Sequence, residues 1–208
     1  MPDLTFENAA RARGARLIAG VDEAGRGPLA GPVTAAAVIL PDGVLPLGLD
    51  DSKKLSRARR EVLGAWIMAH CEWSVAHVDV AEIDALNIYH ATHAAMHRAI
   101  AGLHRRPCMA LIDGNRVPAG LDCPSEAIVK GDGRSLSIAA ASILAKLMRD
   151  RIMVDLAQQH PGYGWEVNAG YPTPAHKRAL LDLGVTPHHR RSFAPVHNIL
   201  CKVRSVSS

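Results

Sequence analysis

The stretch "RLIAGVDEAGRGPLAGPVTAAAVIL", residues 16 to 40, joins two apolar runs of β type through residues 20 to 33, which hold four glycines, two prolines and one arginine. Side chains along a strand alternate between its two faces. The adjacent acids Asp22 and Glu23 therefore reach one site only if the chain bends directly after them. "AGRGPLAG" has the composition that bends chains, because glycine takes backbone conformations closed to other residues and proline ends regular pairing. The stretch predicts a strand over 16–21, two acids at its carboxyl end, a glycine-rich turn, and a second strand over 33–40 closed by "PDG" at 41–43.

Working outward, "WSVAHVDV" (73–80) alternates cleanly and predicts a third strand. Between the second and third, residues 56–70 read as a helix with Ser56 as N-cap and Val62, Trp66 and Ile67 on one face. A second helix follows over 84–103, with Ile88, Ala91, Ala95 and Ile100 near helical spacing. "CMALIDGN" (108–115) then reads as a buried strand ending in Asp113, and "EAIVKGDG" (126–133) as another ending in Asp132. The longest helix spans 135–160 and is stopped by Pro161 and Gly162. Strands alternating with helices predict an α/β fold whose sheet is covered on both faces, with a looser tail from about Gly162.

The acids share a grammar: an apolar strand, an acid at its carboxyl end, and glycine within three residues. One such acid is ordinary turn chemistry, since Asp bonds its own backbone and Gly takes positive φ. The recurrence is the signal. Sites in α/β sheets collect outside the carboxyl ends of strands, so Asp22, Glu23, Asp113 and Asp132 are expected to converge. Like charges in a small space raise one another's pKa unless cations neutralise them, and hard oxygen ligands suit Mg²⁺ or Mn²⁺.

Composition excludes several classes. Among the 208 residues, 24 Lys plus Arg against 20 Asp plus Glu give a net charge of +4, which permits a polyanion partner without demanding one. Basic residues gather in "SKKLSRARR" (52–60), "HRR" (104–106) and "HHRR" (188–191); each reads either as a solvated face or as a contact to a polyanion. Cys71, Cys108, Cys123 and Cys201 form no CxxC pair, so neither a zinc knuckle nor a disulfide framework is indicated. No apolar run approaches the ~20 residues of a membrane helix, and "MPDLTFENAARARGARLIAG" lacks a signal-peptide core, so a cytoplasmic location is expected.

Rival motifs fail on spacing. No Lys-Ser or Lys-Thr follows the glycine loop, as a P-loop requires. Gly25, Gly27 and Gly31 are spaced GxGxxxG and lead into a β-type run, against the dinucleotide fingerprint. His90, His93 and His97 share a helix face, but Ala follows His93 where a zincin has Glu, and they read as solvated. Ser52, Ser135 and Ser142 lack a nucleophile-elbow context. Ser142 and Lys146 lie one turn apart, in line with Ser135, Ala139 and Arg149. That line is either an outward polar face or a Ser/Lys edge toward phosphates, with Ala139, Ala140 and Ala141 allowing close approach to the sheet.

With these residues in place, the sequence resembles the ribonuclease HII family, the bacterial type 2 ribonucleases H. The resemblance is carried by "GVDEAGRGPLAGPV" (20–33), "DSKKLS" (51–56), "LNIYHATHAAM" (86–96), "LIDGN" (111–115), "KGDGRSLSIAAASILAKLMRD" (130–150), "GYPTPAHKRAL" (170–180) and "HRRSFAPV" (189–196), in order over about residues 15 to 200. It implies a ribonuclease H-like fold, with a five-stranded mixed sheet flanked by helices and a C-terminal helical segment. The domain spans 15–204, with a core of about 15–160 and the segment at about 161–204.

The resemblance implies that Asp22, Glu23, Asp113 and Asp132 are the catalytic acids and the ligands of a Mg²⁺ or Mn²⁺ pair. It implies an endonuclease acting on the RNA strand of RNA/DNA hybrids and on the 5′ side of ribonucleotides embedded in duplex DNA. The products are 3′-hydroxyl and 5′-phosphate ends, as in ribonucleotide excision repair. Gly25, Arg26 and Gly27 are then expected to read the 2′-hydroxyl, and Tyr171 to pack on the deoxyribose beyond it. Lys53, Ser142 and Lys146 are the expected phosphate contacts, and a monomer is expected. Two other classes fit the acids: a nucleic-acid binding module that has lost catalysis, against which all four acids are present, and a metal-dependent phosphatase indifferent to ribose.

Overall fold

The computed structural model describes residues 1–206. Five strands form one sheet: β1 (Ile18–Ala24), β2 (Val33–Ile39), β3 (Glu72–Val78), β4 (Met109–Asp113) and β5 (Ser125–Ile128), in the order β3-β2-β1-β4-β5. β1–β2 and β2–β3 pair antiparallel, whereas β1–β4 and β4–β5 pair parallel. The mixed sheet follows from the connections: the glycine loop turns β1 back as β2, and a crossover helix returns the chain parallel to it.

The strand period sorts the two cores. Val33, Ala35, Ala37 and Ile39 of β2 face a layer containing Ala91, Ala95, Met96 and Ala99 of helix α3 (Val80–Ala101). Ala36 and Val38 face Leu63 and Ile67 of α2 (Arg57–His70) and the alanines of α4 (Leu136–Gln159). Every β2 residue is buried, which accounts for a strand that is apolar but for Thr34 rather than alternating. α4 lies so close to β1 that a Cβ on Gly20 would collide with the backbone of Ser137 and Ile138.

The structure departs from the sequence reading in several places. Residues 5–12 form an unanticipated helix, α1 (Thr5–Ala12), held by a long-range contact: buried Glu7 Oε1 accepts from Ser135 Oγ at 2.6 Å and from Ser137 N at 2.9 Å. On α2, Ser56 caps as expected, but the buried face is Leu63 and Ile67, while Val62 is 61% exposed. The third strand stops at Val78, because Asp79 accepts from Glu82 N and caps α3. α3 breaks at Asn87 (φ 66°), whose Oδ1 accepts from Tyr89 N and His90 N and so starts a second helical segment. β5 ends at Ile128, and Lys130 turns left-handed (φ 56°), which places Asp132 in a 3₁₀ turn rather than on a strand.

The segment after Gly162 is packed, not loose. Short helix α5 (Trp165–Asn168), α6 (Pro174–Leu183) and α7 (Ala194–Val206) follow, and Tyr163, Trp165, Leu180 and Val196 share a core with Leu29 and Ala30 of the glycine loop. Among the described residues no helix is long and apolar enough to cross a membrane.

Candidate active site

The parallel register of β1 and β4 sets Val21 opposite Ile112, so the next residues, Asp22 and Asp113, stand side by side. Asp113 Oδ1 then accepts from Gly131 N at 2.6 Å and Asp132 N at 3.3 Å, drawing the 3₁₀ turn over the strand end. The result is a trio, Asp22, Asp113 and Asp132, each with a carboxylate oxygen within 4.8 Å of the others. Residues separated by 110 positions thus meet through one strand pairing and one backbone clasp.

Glu23 stands next to the trio rather than in it. β1 continues through both acids to Ala24, and the Glu23 Oε1 lies 3.3 Å from Arg26 Nη1. It lines a cleft with Arg26, Tyr89, His93, Asp113, Asn115 and Arg116. The bend expected directly after the acids comes at Gly25, whose φ of +96° and contact with the Arg149 side chain leave no room for a Cβ.

Asp22 is 2% exposed. Its Oδ1 accepts from Glu23 N at 2.7 Å, but its Oδ2 is buried with no hydrogen-bond partner. Burial, then the charges of Glu23 and Asp113, raise its pKa well above the ordinary 3.8. Asp113 is raised by burial and by Asp132, and Glu23 by burial, which the Arg26 charge partly offsets. An orphaned, buried carboxylate oxygen among acids held above their usual range is a donor set that fits a hard divalent cation.

Of the expected phosphate contacts, Lys53 reaches the trio: its Nζ is 3.3 Å from Asp132 Oδ2, with most of its side chain in solvent. Burial alone would lower Lys53, but the Asp132, Asp51 and Asp22 charges raise it above its ordinary value. Ser142 is buried and donates to Ser52 Oγ at 2.9 Å, and Lys146 is paired with Asp150 at 2.7 Å. The line of Ser135, Ser142 and Arg149 on α4 is buried, so it is not an outward polar face.

The residues expected to read ribose do meet. Tyr171 is 43% exposed, and a Cβ built on Gly27 would sit 3.5 Å from its Cε1. Sequence reasoning missed what supports them. Of "HHRR", His189 and Arg190 are buried and only Arg191 is exposed, and Arg149 and His176 are buried as well. A basic run carries no local mark of burial, because its partners are loop carbonyls distant in sequence. His90 is exposed, His97 Nε2 lies 3.2 Å from Gly120 O, and among the described residues none of the three histidines joins a metal-type cluster.

Comparison with known proteins fits this geometry. The family model for ribonuclease HII matches residues 19–196. Ribonuclease HII of Paracoccus denitrificans is 71% identical over 201 residues, covering 97% of this chain and 96% of the relative. Ribonuclease H2 of Pyrococcus horikoshii superposes with a TM-score of 0.79 at 28% identity, covering 91% of this chain and 99% of that one. Ribonuclease HII of Archaeoglobus fulgidus, solved as a complex with PCNA, gives 0.72 at 29% identity, covering 84% and 94%. The mixed sheet is thus a ribonuclease H-like fold. Its likeness to relatives runs through both the acid-bearing strands and the C-terminal segment, and the chain belongs to the ribonuclease HII family of metal-dependent endoribonucleases.

Proposed function

We propose that the chain hydrolyses the RNA strand of RNA/DNA hybrids and cuts on the 5′ side of single ribonucleotides embedded in duplex DNA, leaving 3′-hydroxyl and 5′-phosphate ends. On this reading it serves ribonucleotide excision repair, as a cytoplasmic monomer whose partner is nucleic acid. Asp22, Glu23, Asp113 and Asp132 hold a Mg²⁺ or Mn²⁺ pair, and no side chain acts as nucleophile. Bound there, the cations supply an activated water and stabilise the leaving alkoxide. Asp113 aligns the site by accepting from the Asp132 turn while keeping its second oxygen free, and Lys53 offers a cation at the rim for a phosphate.

The observation that carries the reading is that Gly27 faces the Tyr171 ring, where a Cβ would sit 3.5 Å from Cε1, directly after Arg26, which lines a cleft with Glu23 and Asp113. The 2′-hydroxyl is what distinguishes RNA from DNA at a given site. Backbone groups beside Arg26 can approach a sugar closely because its neighbours Gly25 and Gly27 carry no Cβ, and the exposed Tyr171 ring offers a flat surface to the next sugar. Ser142 and Lys146 contribute phosphate contacts once their present partners, Ser52 and Asp150, are exchanged for substrate.

The test is incubation with a DNA duplex holding one ribonucleotide, in Mg²⁺, Mn²⁺ or chelator, with end-group mapping and with Asp113→Asn in parallel. A single cut 5′ of the ribonucleotide is expected only with metal. Asp113→Asn should fold and cut at least about a hundredfold more slowly, close to 2.7 kcal/mol of lost transition-state stabilisation. Cleavage in chelator, equal cleavage of an all-DNA duplex, or full activity in Asp113→Asn contradicts the reading.

A further inference from the structure

Both halves of the reader lie on irregular backbone. Gly25, Arg26 and Gly27 sit in the loop between β1 and β2, and Tyr171 sits between α5 and α6. Neither has a ladder of its own to fix it. What fixes them is a buried polar hub supplied by the C-terminal segment and α4.

Arg190 is fully buried and spends its guanidinium on the glycine loop. Its Nη2 donates to Gly25 O at 2.6 Å and to Gly31 O at 2.9 Å, its Nη1 to Arg26 O at 2.9 Å and its Nε to Gly31 O at 3.0 Å. One planar fork thus holds three carbonyls. Arg149, 1% exposed, joins the loop to the Tyr171 segment: Nε and Nη2 donate to Pro32 O and Ala30 O, and Nη1 to Ala169 O at 2.9 Å. Leu29 N donates to Gly170 O at 2.8 Å, a second tie beside Tyr171.

The ring preceding Arg190 extends the hub to Tyr171 itself. Thr186 N donates to His189 Nδ1 at 3.0 Å, so the His189 proton resides on Nε2, 3.1 Å from His176 Nε2. His176 Nε2 accepts from Trp165 Nε1 at 3.0 Å, its one lone pair being shared with the His189 Nε2–H, which leaves the His176 proton on Nδ1, donated to Tyr171 O at 3.0 Å. Burial, then neighbouring histidines, hold His189 down to about 3, and burial lowers His176, so this pattern of neutral rings persists at neutral pH. The path is continuous: Tyr171 carbonyl, His176, His189, the peptide to Arg190, and the carbonyls of Gly25 and Arg26.

We propose that His176, His189 and Arg190 are positioning residues. They hold Tyr171 and the Gly25, Arg26, Gly27 turn as one rigid reader, and so set the preference for a lone ribonucleotide in DNA over a continuous RNA/DNA hybrid. This rests on the proposed reading of Tyr171 and the turn. A hybrid offers a 2′-hydroxyl at every step, so a loosened reader still finds one in register. A lone ribonucleotide offers a single hydroxyl, and a misplacement of about 1 Å can cost on the order of a hundredfold in rate.

The test compares kcat/KM on a single-ribonucleotide duplex with that on a continuous hybrid, for wild type, His176→Leu, His176→Asn and Tyr171→Ala. Asparagine places an amide N–H near the position of the imidazole Nδ1–H and can still donate to Tyr171 O, whereas leucine fills the space without a donor. Both lose the Trp165 and His189 partners, so their difference isolates the Tyr171 hydrogen bond. In His176→Leu the ratio should fall about tenfold, through kcat rather than KM, while His176→Asn stays within about twofold of wild type. Should His176→Leu not fold, Arg190→Lys takes its place and should lower the ratio likewise, since one ammonium cannot span three carbonyls. An unchanged ratio in the hub variant while Tyr171→Ala lowers it overturns the positioning role alone. An asparagine variant as poor as leucine, with both substrates losing equally, marks the hub as structural only. A Tyr171→Ala ratio equal to wild type removes the reading of Tyr171 and the inference with it.

Discussion

Asp22 concentrates the conflict of the site: a carboxylate taken out of water, beside two others, with one oxygen lacking any donor. An acid whose folded pKa lies above its unfolded value binds more protons folded than unfolded. Its contribution to stability is complete below the unfolded value, near 3.8, and is lost as pH rises through the raised folded value. Asp113 and Glu23 are shifted the same way. In chelator, therefore, the melting temperature of wild type should fall relative to that of Asp22→Asn as pH climbs from about 4 into the neutral range, and saturating Mg²⁺ or Mn²⁺ should narrow the gap. Parallel pH profiles for the two proteins, or no effect of metal, count against a cation site here. The sequence marked this residue well, because acid, glycine and strand end are all local. It did not mark Glu23 as separate from the trio, since that depends on β1 running straight to Ala24 before the loop turns.

At the scale of elements, the decisive contact is β1 against α4. Gly20 lets the strand that carries Asp22 lie directly on the helix backbone at Ser137 and Ile138. Gly20→Val forces the two apart, and thermal or denaturant unfolding should show a loss of at least about 1–3 kcal/mol, the range for overpacking a close-packed interior. A change under about 0.5 kcal/mol, the scale of ordinary surface substitutions, argues against so tight an apposition. Most strands and helices were readable because periods of two and of about 3.6 are written along the chain. The exceptions share a cause. α1 is held by Glu7 against Ser135 and Ser137, far along the chain, the turn after β5 is drawn to Asp113 through Gly131 N and Asp132 N, and Arg190 of the "HHRR" run is buried against carbonyls of residues 25 to 31. No local pattern encodes contacts of that range.

For the molecule as a whole, two bodies of contacts meet at the glycine loop. The sheet and its helices bring Asp22, Asp113 and Asp132 together, and the C-terminal segment brings Tyr171, His176, His189 and Arg190 up to the same loop from the other side. The carboxyl ends of the strands place the acids, and the tail that the sequence suggested was loose holds the Tyr171 carbonyl and the Gly25 and Arg26 carbonyls, the proposed reader. On the proposed reading, the adjacency of "DE" and "GRG" would couple inspection of the sugar to cleavage beside it. The central claim is this coupling, and Gly27 tests it most directly. It has no positive-φ requirement, and a methyl there meets only Tyr171, at ordinary contact distance. The measurement is the single-turnover rate of Gly27→Ala on a duplex with one ribonucleotide, taken with its affinity for that duplex. The account predicts a rate lowered at least about tenfold, close to 1.4 kcal/mol, with affinity and melting temperature near those of wild type. A wild-type rate, or rate and affinity falling together, would contradict it.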